Sequence, residues 1–321
     1  ARAYERKLVA TRRRGQPYPY EIIKMLTGGD RKLPHPGTDS TTEGASQGIF
    51  EEFDLVPGSS PPVAMPLIDR AYGGNLAGVV FGIISTPTTK HPEGMRRVLV
   101  LSDPSMEMGA LSAPECDRLV AAFDLAEAEG LPLEWVAVSS GARIAMDSGT
   151  ENLDATARVV RRIVTFTQAS GVVNLVVAGV NIGAQAYFDA LATMLMHTRG
   201  ALIMTQDASM VLTGRRALEA AGSVSAEDEL AIGGYERIMG PNGEAQYHAQ
   251  NLFEAYQILY RHYDFSYVAP LESNPRRRAT TDPDDRSICD YVIPSDAFGF
   301  ATVGEIFDDE VNPGRKRPFG M

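Results

Sequence analysis

Leu133-Glu134-Trp135-Val136-Ala137-Val138, running straight into Ser139-Ser140-Gly141-Ala142-Arg143-Ile144, is an apolar strand run that ends in a small-residue turn. The pattern returns at Val172–Val177, followed by Asn181-Ile182-Gly183-Ala184-Gln185-Ala186-Tyr187. Buried strands each closed by a glycine turn, with a helical pattern next, give the rhythm of an α/β fold. Glycine at such a turn lets the backbone come close to a ligand. Two turns of this kind can aim amide N–H groups at one point and so hold an oxyanion. Arg143 adds a fixed planar cation suited to a carboxylate or phosphate. Either turn alone reads as an ordinary loop glycine; the pair, with the arginine, reads as a site.

Outward from these turns the same alternation continues. Upstream, Leu76–Ser85 and Arg97–Ser102 read as strands separated by a break at Pro87–Pro92. Ser112, Pro114 and Glu115 form a Ser-x-x-Glu capping box with proline in the first turn, and Leu119, Val120, Phe123 and Ala126 recur at helical spacing until Gly130 and Pro132. A second helix is expected over Asn152–Gln168, a third from the Gly183 turn to about His197, then a strand Ala201–Thr205. A further helix is expected around Val211–Ala221, then the Gly233-Gly234 turn and a helix over Leu252–Tyr263. The N-terminal 26 residues suggest one short amphipathic helix docked on the body, 27–48 a loop, and 270–290 a polar linker. The expected division is 1–48 as docking helix and loop, 49–265 as the main domain, and 266–321 as linker and extension.

Composition narrows the chemistry. The 321 residues carry a formal net charge of −11, which argues against nucleic acid or an anionic membrane as the main partner. Arg12–Arg14, Arg276–Arg278 and Arg315-Lys316-Arg317 read as solvated patches, with a coenzyme phosphate or an acidic subunit as the alternative. The most apolar stretch, Asn174–Met196, contains Asn181, Gln185 and Asp189, so it reads as a buried strand plus a packed helix rather than a membrane span. Cys116 and Cys289 offer neither a disulfide framework nor metal-ligand spacing; no secretory signal is visible, and a reducing cytoplasm fits. The chain starts at Ala1 and its last residues close no element, which points to an excerpt of a longer chain.

No P-loop, no G-x-G-x-x-G between strand and helix, and no G-x-S-x-G elbow occurs. His35, His91, His197, His248 and His262 show no metal-like pairing; His197 reads as a helix-end charge and His248 as a residue that could line a cleft. Glu227-Asp228-Glu229 reads as a solvated helix start. A site of backbone donors with no evident side-chain base suits a reaction whose base arrives with the substrate.

Several segments resemble the carboxyltransferase component of biotin-dependent acyl-CoA carboxylases. Ser140-Gly141-Ala142-Arg143-Ile144 is similar to that family's S-G-(G)-A-R-I turn, and Met108-Gly109-Ala110-Leu111-Ser112 to the M-G-(G)-S-hydrophobic-G turn before its first long helix. Gly183-Ala184-Gln185-Ala186-Tyr187 resembles G-G-A-x-Y, Ile232-Gly233-Gly234 the later L-G-G, and Tyr18-Pro19-Tyr20-Glu21 the Y-x-Y-[DE] lead-in. The resemblance implies a crotonase-like (ClpP/crotonase) spiral of stacked ββα units. It implies an oxyanion hole for an acyl-CoA enolate at Gly141–Ala142 and Gly183–Ala184, with Ser140 beside it and Arg143 on the carboxyl group arriving from carboxybiotin. Gly109, Ala110, Leu111, Tyr187, Gly233 and Gly234 are the implied coenzyme A contacts, with no metal. The implied partners are acyl-CoA, a biotin carboxyl carrier protein, a biotin carboxylase and a second carboxyltransferase half, in a homo-oligomer. Three departures stand out: the family's frequent Gly-Gly is Ser140-Gly141 here, its second Gly-Gly is Gly183-Ala184, and only the first, coenzyme A-binding half is matched. The alternatives are a non-catalytic coenzyme A-binding or scaffolding subunit, and a crotonase-type enoyl-CoA hydratase or isomerase, which would need cleft carboxylates.

Overall fold

The structure is a computed structural model that describes residues 2–28, 48–146, 148, 150–193, 199–222 and 227–277. The expected helix end at His197, the loop over 29–47, His35, Cys289, Arg278 and the Arg315 cluster lie outside the described residues.

One mixed sheet carries the chain. Its strands are β1 (Ile49–Leu55), β2 (Ala64–Pro66), β3 (Val79–Thr86), β4 (Met95–Ser102), β5 (Leu133–Ser139), β6 (Val173–Ile182), β7 (Leu202–Thr205), β8 (Ser209–Val211) and β9 (Tyr247–Ala249). The spatial order is β2-β1-β3-β4-β5-β6-β7-β9, with β8 also pairing β6. The pairs from β2 to β4 are antiparallel, and those from β4 to β9 are parallel. The helices are α1 (Arg2–Arg13), α2 (Pro19–Thr27), α3 (Ala113–Glu129), α4 (Glu151–Gln168), α5 (Ala184–Thr193), α6 (Arg215–Ala220), α7 (Leu230–Gly233) and α8 (Leu252–Ser266).

Side chains alternate across a strand, so each strand feeds two cores. Val79, Phe81, Val98, Val100, Leu133, Trp135, Leu175 and Val177 pack under α3, α4 and α5, with Phe123, Ile163 and Phe188. Val80, Ile84, Leu99, Leu101, Val136 and Val176 face the other way, under α2 and α8, with Ile23, Leu26, Tyr256 and Leu259. Burial on both faces explains why these strands read as unbroken apolar runs.

One ion pair interrupts the second core. Arg97 on β4 and Glu134 on β5 are fully buried, with Nε to Oε2 at 3.0 Å. Arg97 also donates to Thr86 Oγ1 at 2.6 Å and to the Met95 carbonyl at 2.7 Å, while Tyr263 of α8 donates to Glu134 at 2.9 Å.

The structure corrects three expectations. The N-terminal segment forms two helices rather than one, because the backbone leaves the helix after Arg13 and a proline-led helix restarts at Pro19. Val211 does not open a helix: it closes β8 beside β6, and the helix after it spans only Arg215–Ala220. The second glycine turn starts later than read, since β6 runs through Asn181 and Ile182 to Gly183. The antiparallel edge β1–β2 went unread.

Candidate functional site

Both glycine turns sit at the carboxyl ends of neighbouring parallel strands, where open α/β sheets place their ligands. β5 and β6 pair in register from Leu133–Val173 to Ala137–Val177, then after a shift Ser139 lies opposite Asn181. That register carries Gly141 to Gly183. A Cβ built on Gly141 would lie 2.8 Å from the Ile182 carbonyl oxygen and 3.9 Å from Gly183 Cα. Gly141 also has φ +91°, a conformation that strains any residue with a side chain. The two turns touch, as the sequence reading required.

Their amides divide into two classes. The Gly141 N–H donates to Ser139 Oγ at 3.1 Å, and the Gly183 N–H donates to the Val211 carbonyl at 2.9 Å. The expected donor set therefore shrinks, since tertiary contacts invisible to the sequence already engage both glycines. Among the described residues, the amides of Ala142 and Ala184 make no hydrogen bond. Ala184 opens α5, whose amino end carries partial positive charge.

A third turn braces the first. Glu107–Gly109 is a single 3-10 turn in which Glu107, Met108 and Gly109 all have positive φ, at 45°, 55° and 72°. The Ser140 N–H donates to the Met108 carbonyl at 3.1 Å, and the Ser139 hydroxyl to the Gly109 carbonyl at 2.6 Å. Leu111 bridges to Ala142: its N–H donates to the Gly141 carbonyl at 2.8 Å, and its carbonyl accepts from the Arg143 N–H at 2.7 Å. Gly109 and Leu111, read from the sequence as coenzyme contacts, are buried; they brace the Gly141 turn instead of lining a surface. Ala110 between them is half-buried.

Around this unit stand the remaining expected residues. Arg143 Nε pairs with Glu107 Oε2 at 3.1 Å; the carboxylate is 62% exposed. Ser140 Oγ reaches the Glu107 carbonyl at 3.4 Å. Tyr187 on α5 is exposed. Gly233 and Gly234 lie buried against β8, where Gly234 bridges Ser209 and a Cβ on Gly233 would collide with the Met210 carbonyl. They reach the site through β8, whose Val211 carbonyl holds the Gly183 amide. His248 on β9 stacks on Tyr235 at 4.7 Å and, among the described residues, makes no hydrogen bond or ring contact to either turn. Glu227 and Asp228 are exposed, and Asp228 accepts from the Ala231 N–H in the first turn of α7. Cys116 is a buried free thiol in α3, its pKa pushed up to about 12 by burial.

The sequence reading missed what lies behind the turns. Asp189 on α5 is buried and accepts from Asn181 Nδ2 at 2.6 Å and Gln185 Nε2 at 2.8 Å. Burial pushes its carboxyl up to about 7, against the lowering effect of those two hydrogen bonds. Polar residues inside an apolar run were the available signal. Among the described residues, no group of three or more His, Cys, Asp or Glu could hold a metal, and no helix is long and apolar enough to cross a membrane.

The chain has relatives among known proteins. The chain is 26% identical to acetyl-CoA carboxylase 1 of Arabidopsis thaliana over 144 residues, 44% of this chain and 6% of that one. It is 26% identical to acetyl-CoA carboxylase of Schizosaccharomyces pombe over 127 residues, 40% of this chain and 5% of that one. The geranyl-CoA carboxylase β subunit of P. aeruginosa superposes with a TM-score of 0.57 at 18% identity, over 81% of this chain and 41% of that one. Transcarboxylase 12S superposes with a TM-score of 0.59 at 18% identity, over 81% of this chain and 43% of that one. The fold is thus the expected crotonase-like α/β architecture, shared with these two structures. The chain spans less than half the length of any of these relatives. The model of the carboxyl transferase domain matches residues 91–305, about two thirds of the sequence, and the chain belongs to that family.

Proposed function

We propose that this chain is the acyl-CoA-binding half of a biotin-dependent carboxyltransferase, which moves a carboxyl group to the α carbon of an acyl-CoA. The observation that carries this reading is the contact between two strand-end turns whose Ala142 and Ala184 amides have no hydrogen-bond partner among the described residues. In this role both amides hold the thioester oxygen as charge builds on it, aided by the α5 amino end. Losing one such donor typically costs about 3 kcal/mol of barrier. Arg143 offers a planar fork to the carboxyl group in transit. Gly141 keeps the first turn close enough for Ala142 and Ala184 to act together, and Ser140 stands at its edge. Tyr187 and Ala110 are the candidates for the coenzyme A moiety, while Gly233 and Gly234, buried against β8, act through the strand that holds the Gly183 turn.

Carboxybiotin, on a carrier protein loaded by a biotin carboxylase, would supply the carboxyl group and then the ureido nitrogen that accepts the α proton. No residue of this chain is assigned to hold biotin; that falls to a second half, across a subunit interface of a homo-oligomer. The main domain in this reading is 49–265, with 1–48 docked on it and 266–321 leading onward.

The test is Arg143→Ala in the complete assembly with an acyl-CoA and carboxylated carrier. Carboxyl transfer should fall sharply; unchanged turnover removes Arg143 from the reaction. One observation favours a non-catalytic coenzyme A-binding role: Arg143 already carries Glu107 as a counter-ion. Thermal-shift titration with acyl-CoA, set beside the carboxylation assay, separates the two, because a scaffold would bind without transferring.

A further inference from the structure

The buried polar groups behind the site form one continuous chain of hydrogen bonds. Asp189 accepts from Asn181 Nδ2 at 2.6 Å, and Asn181 Oδ1 accepts the Ser139 N–H at 2.9 Å. Ser139 Oγ then accepts the Gly141 N–H at 3.1 Å and donates to the Gly109 carbonyl at 2.6 Å. On its other oxygen Asp189 accepts from Gln185 Nε2 at 2.8 Å, one residue beyond Ala184. Asp189, Asn181, Gln185 and Ser139 are all buried. The path thus touches all three turns.

We propose that Asp189 is a positioning residue that locks the Gly109, Gly141 and Gly183 turns into one unit by fixing which way the Asn181 amide faces. A side-chain amide has a donor end and an acceptor end at fixed separation. Asp189 offers lone pairs to Asn181, so the Asn181 NH2 turns towards α5 and its oxygen towards the Ser139 N–H. Without an acceptor at 189 the Asn181 NH2 is left buried and unpaired, and only the Ser139 N–H still opposes a flip that would set NH2 against N–H. A buried acid is costly to maintain in an apolar helix face, and here its hydrogen bonds do a job a leucine could not. Gln185 Oε1 has no hydrogen-bond partner. Turning that amide over would present the oxygen to a donor at 189, so asparagine can replace aspartate with every bond kept. The catalytic use of the locked unit rests on the proposed function; the lock itself does not.

Hydrogen exchange on the full chain tests it without any substrate. In Asp189→Ala, the segment 138–143 should exchange about tenfold faster, the scale of one net hydrogen bond, while 98–102 of β4 stays as protected as in the parent. Asn181→Ala breaks the same link at its other end and should give the same local result, standing in should Asp189→Ala not fold. Asp189→Asn should stay within about twofold of the parent, given the rearranged amides. The proposal is overturned if the alanine variants leave 138–143 protected, if 98–102 loses protection equally, or if Asp189→Asn loosens 138–143 as much as Asp189→Ala.

Discussion

Replacing Asp189 with asparagine should change how the protein's stability responds to pH. Burial raises the Asp189 carboxyl from its ordinary value of 3.8 to about 7; the Gln185 and Asn181 hydrogen bonds pull against that, and Glu244 is the charged group whose field adds to it. The folded state therefore holds a proton that the unfolded state has lost between these two values. Stability from this group is fully present below about pH 4 and drains away as pH rises towards 7. The whole span is about 4 kcal/mol, at roughly 1.4 kcal/mol per unit. Between pH 5 and pH 8 the parent should lose roughly 2.5 kcal/mol relative to Asp189→Asn, which cannot titrate there. Urea unfolding of both proteins at the two pH values measures it, as a relative midpoint shift on the order of 1 M. A parent-minus-variant difference that stays constant from pH 5 to pH 8 would mean that Asp189 is ionised throughout, and the reasoning from burial would fail.

Three further outcomes can be checked. Gly141→Ala places a Cβ 2.8 Å from the Ile182 carbonyl at φ +91° and should destabilise by at least about 1–2 kcal/mol from backbone strain alone. It should also abolish any acyl-CoA-induced thermal shift; an unchanged melting point and ligand shift would refute the close-approach argument. Arg97→Met leaves the Glu134 carboxylate buried without its cation, and chemical denaturation should show a loss of about 3–5 kcal/mol. Glu115→Ala removes the acceptor for the Ser112 N–H at 3.1 Å and the Gly78 N–H at 2.9 Å, tying α3 to the entry of β3, at a cost of about 2 kcal/mol by thermal unfolding.

What could be read in advance was whatever local sequence dictates. Ser112 and Glu115 close their capping box three residues apart, and Leu133–Val138 needed only its own apolar run to announce a strand. Contact between the Gly141 and Gly183 turns was also foreseeable, since adjacent parallel strands that end in similar turns bring them together. The misses are long-range. Arg97 and Glu134 look like surface charges until strands 37 residues apart lay them side by side under α8. The β1 segment Ile49-Phe50-Glu51-Glu52-Phe53-Asp54-Leu55 carries three acids, two of which, Glu52 and Asp54, pair with Arg70 from beyond β2, so its strand character depends on partners elsewhere. The engagement of the Gly141 and Gly183 amides comes from a serine hydroxyl and from the carbonyl of Val211, which the sequence reads as opening a helix and the structure puts at the end of β8.

The Glu107 carboxylate changes what an incoming anion gains at this doorway. Arg143 is not a bare charge awaiting company, so a docking carboxylate must evict or share with a resident one. One contact replaces another, and the Coulombic terms largely cancel, as they do for exposed ion pairs in general. Selectivity at such an entrance rests on shape complementarity rather than on raw attraction, and added salt should weaken resident and visitor alike.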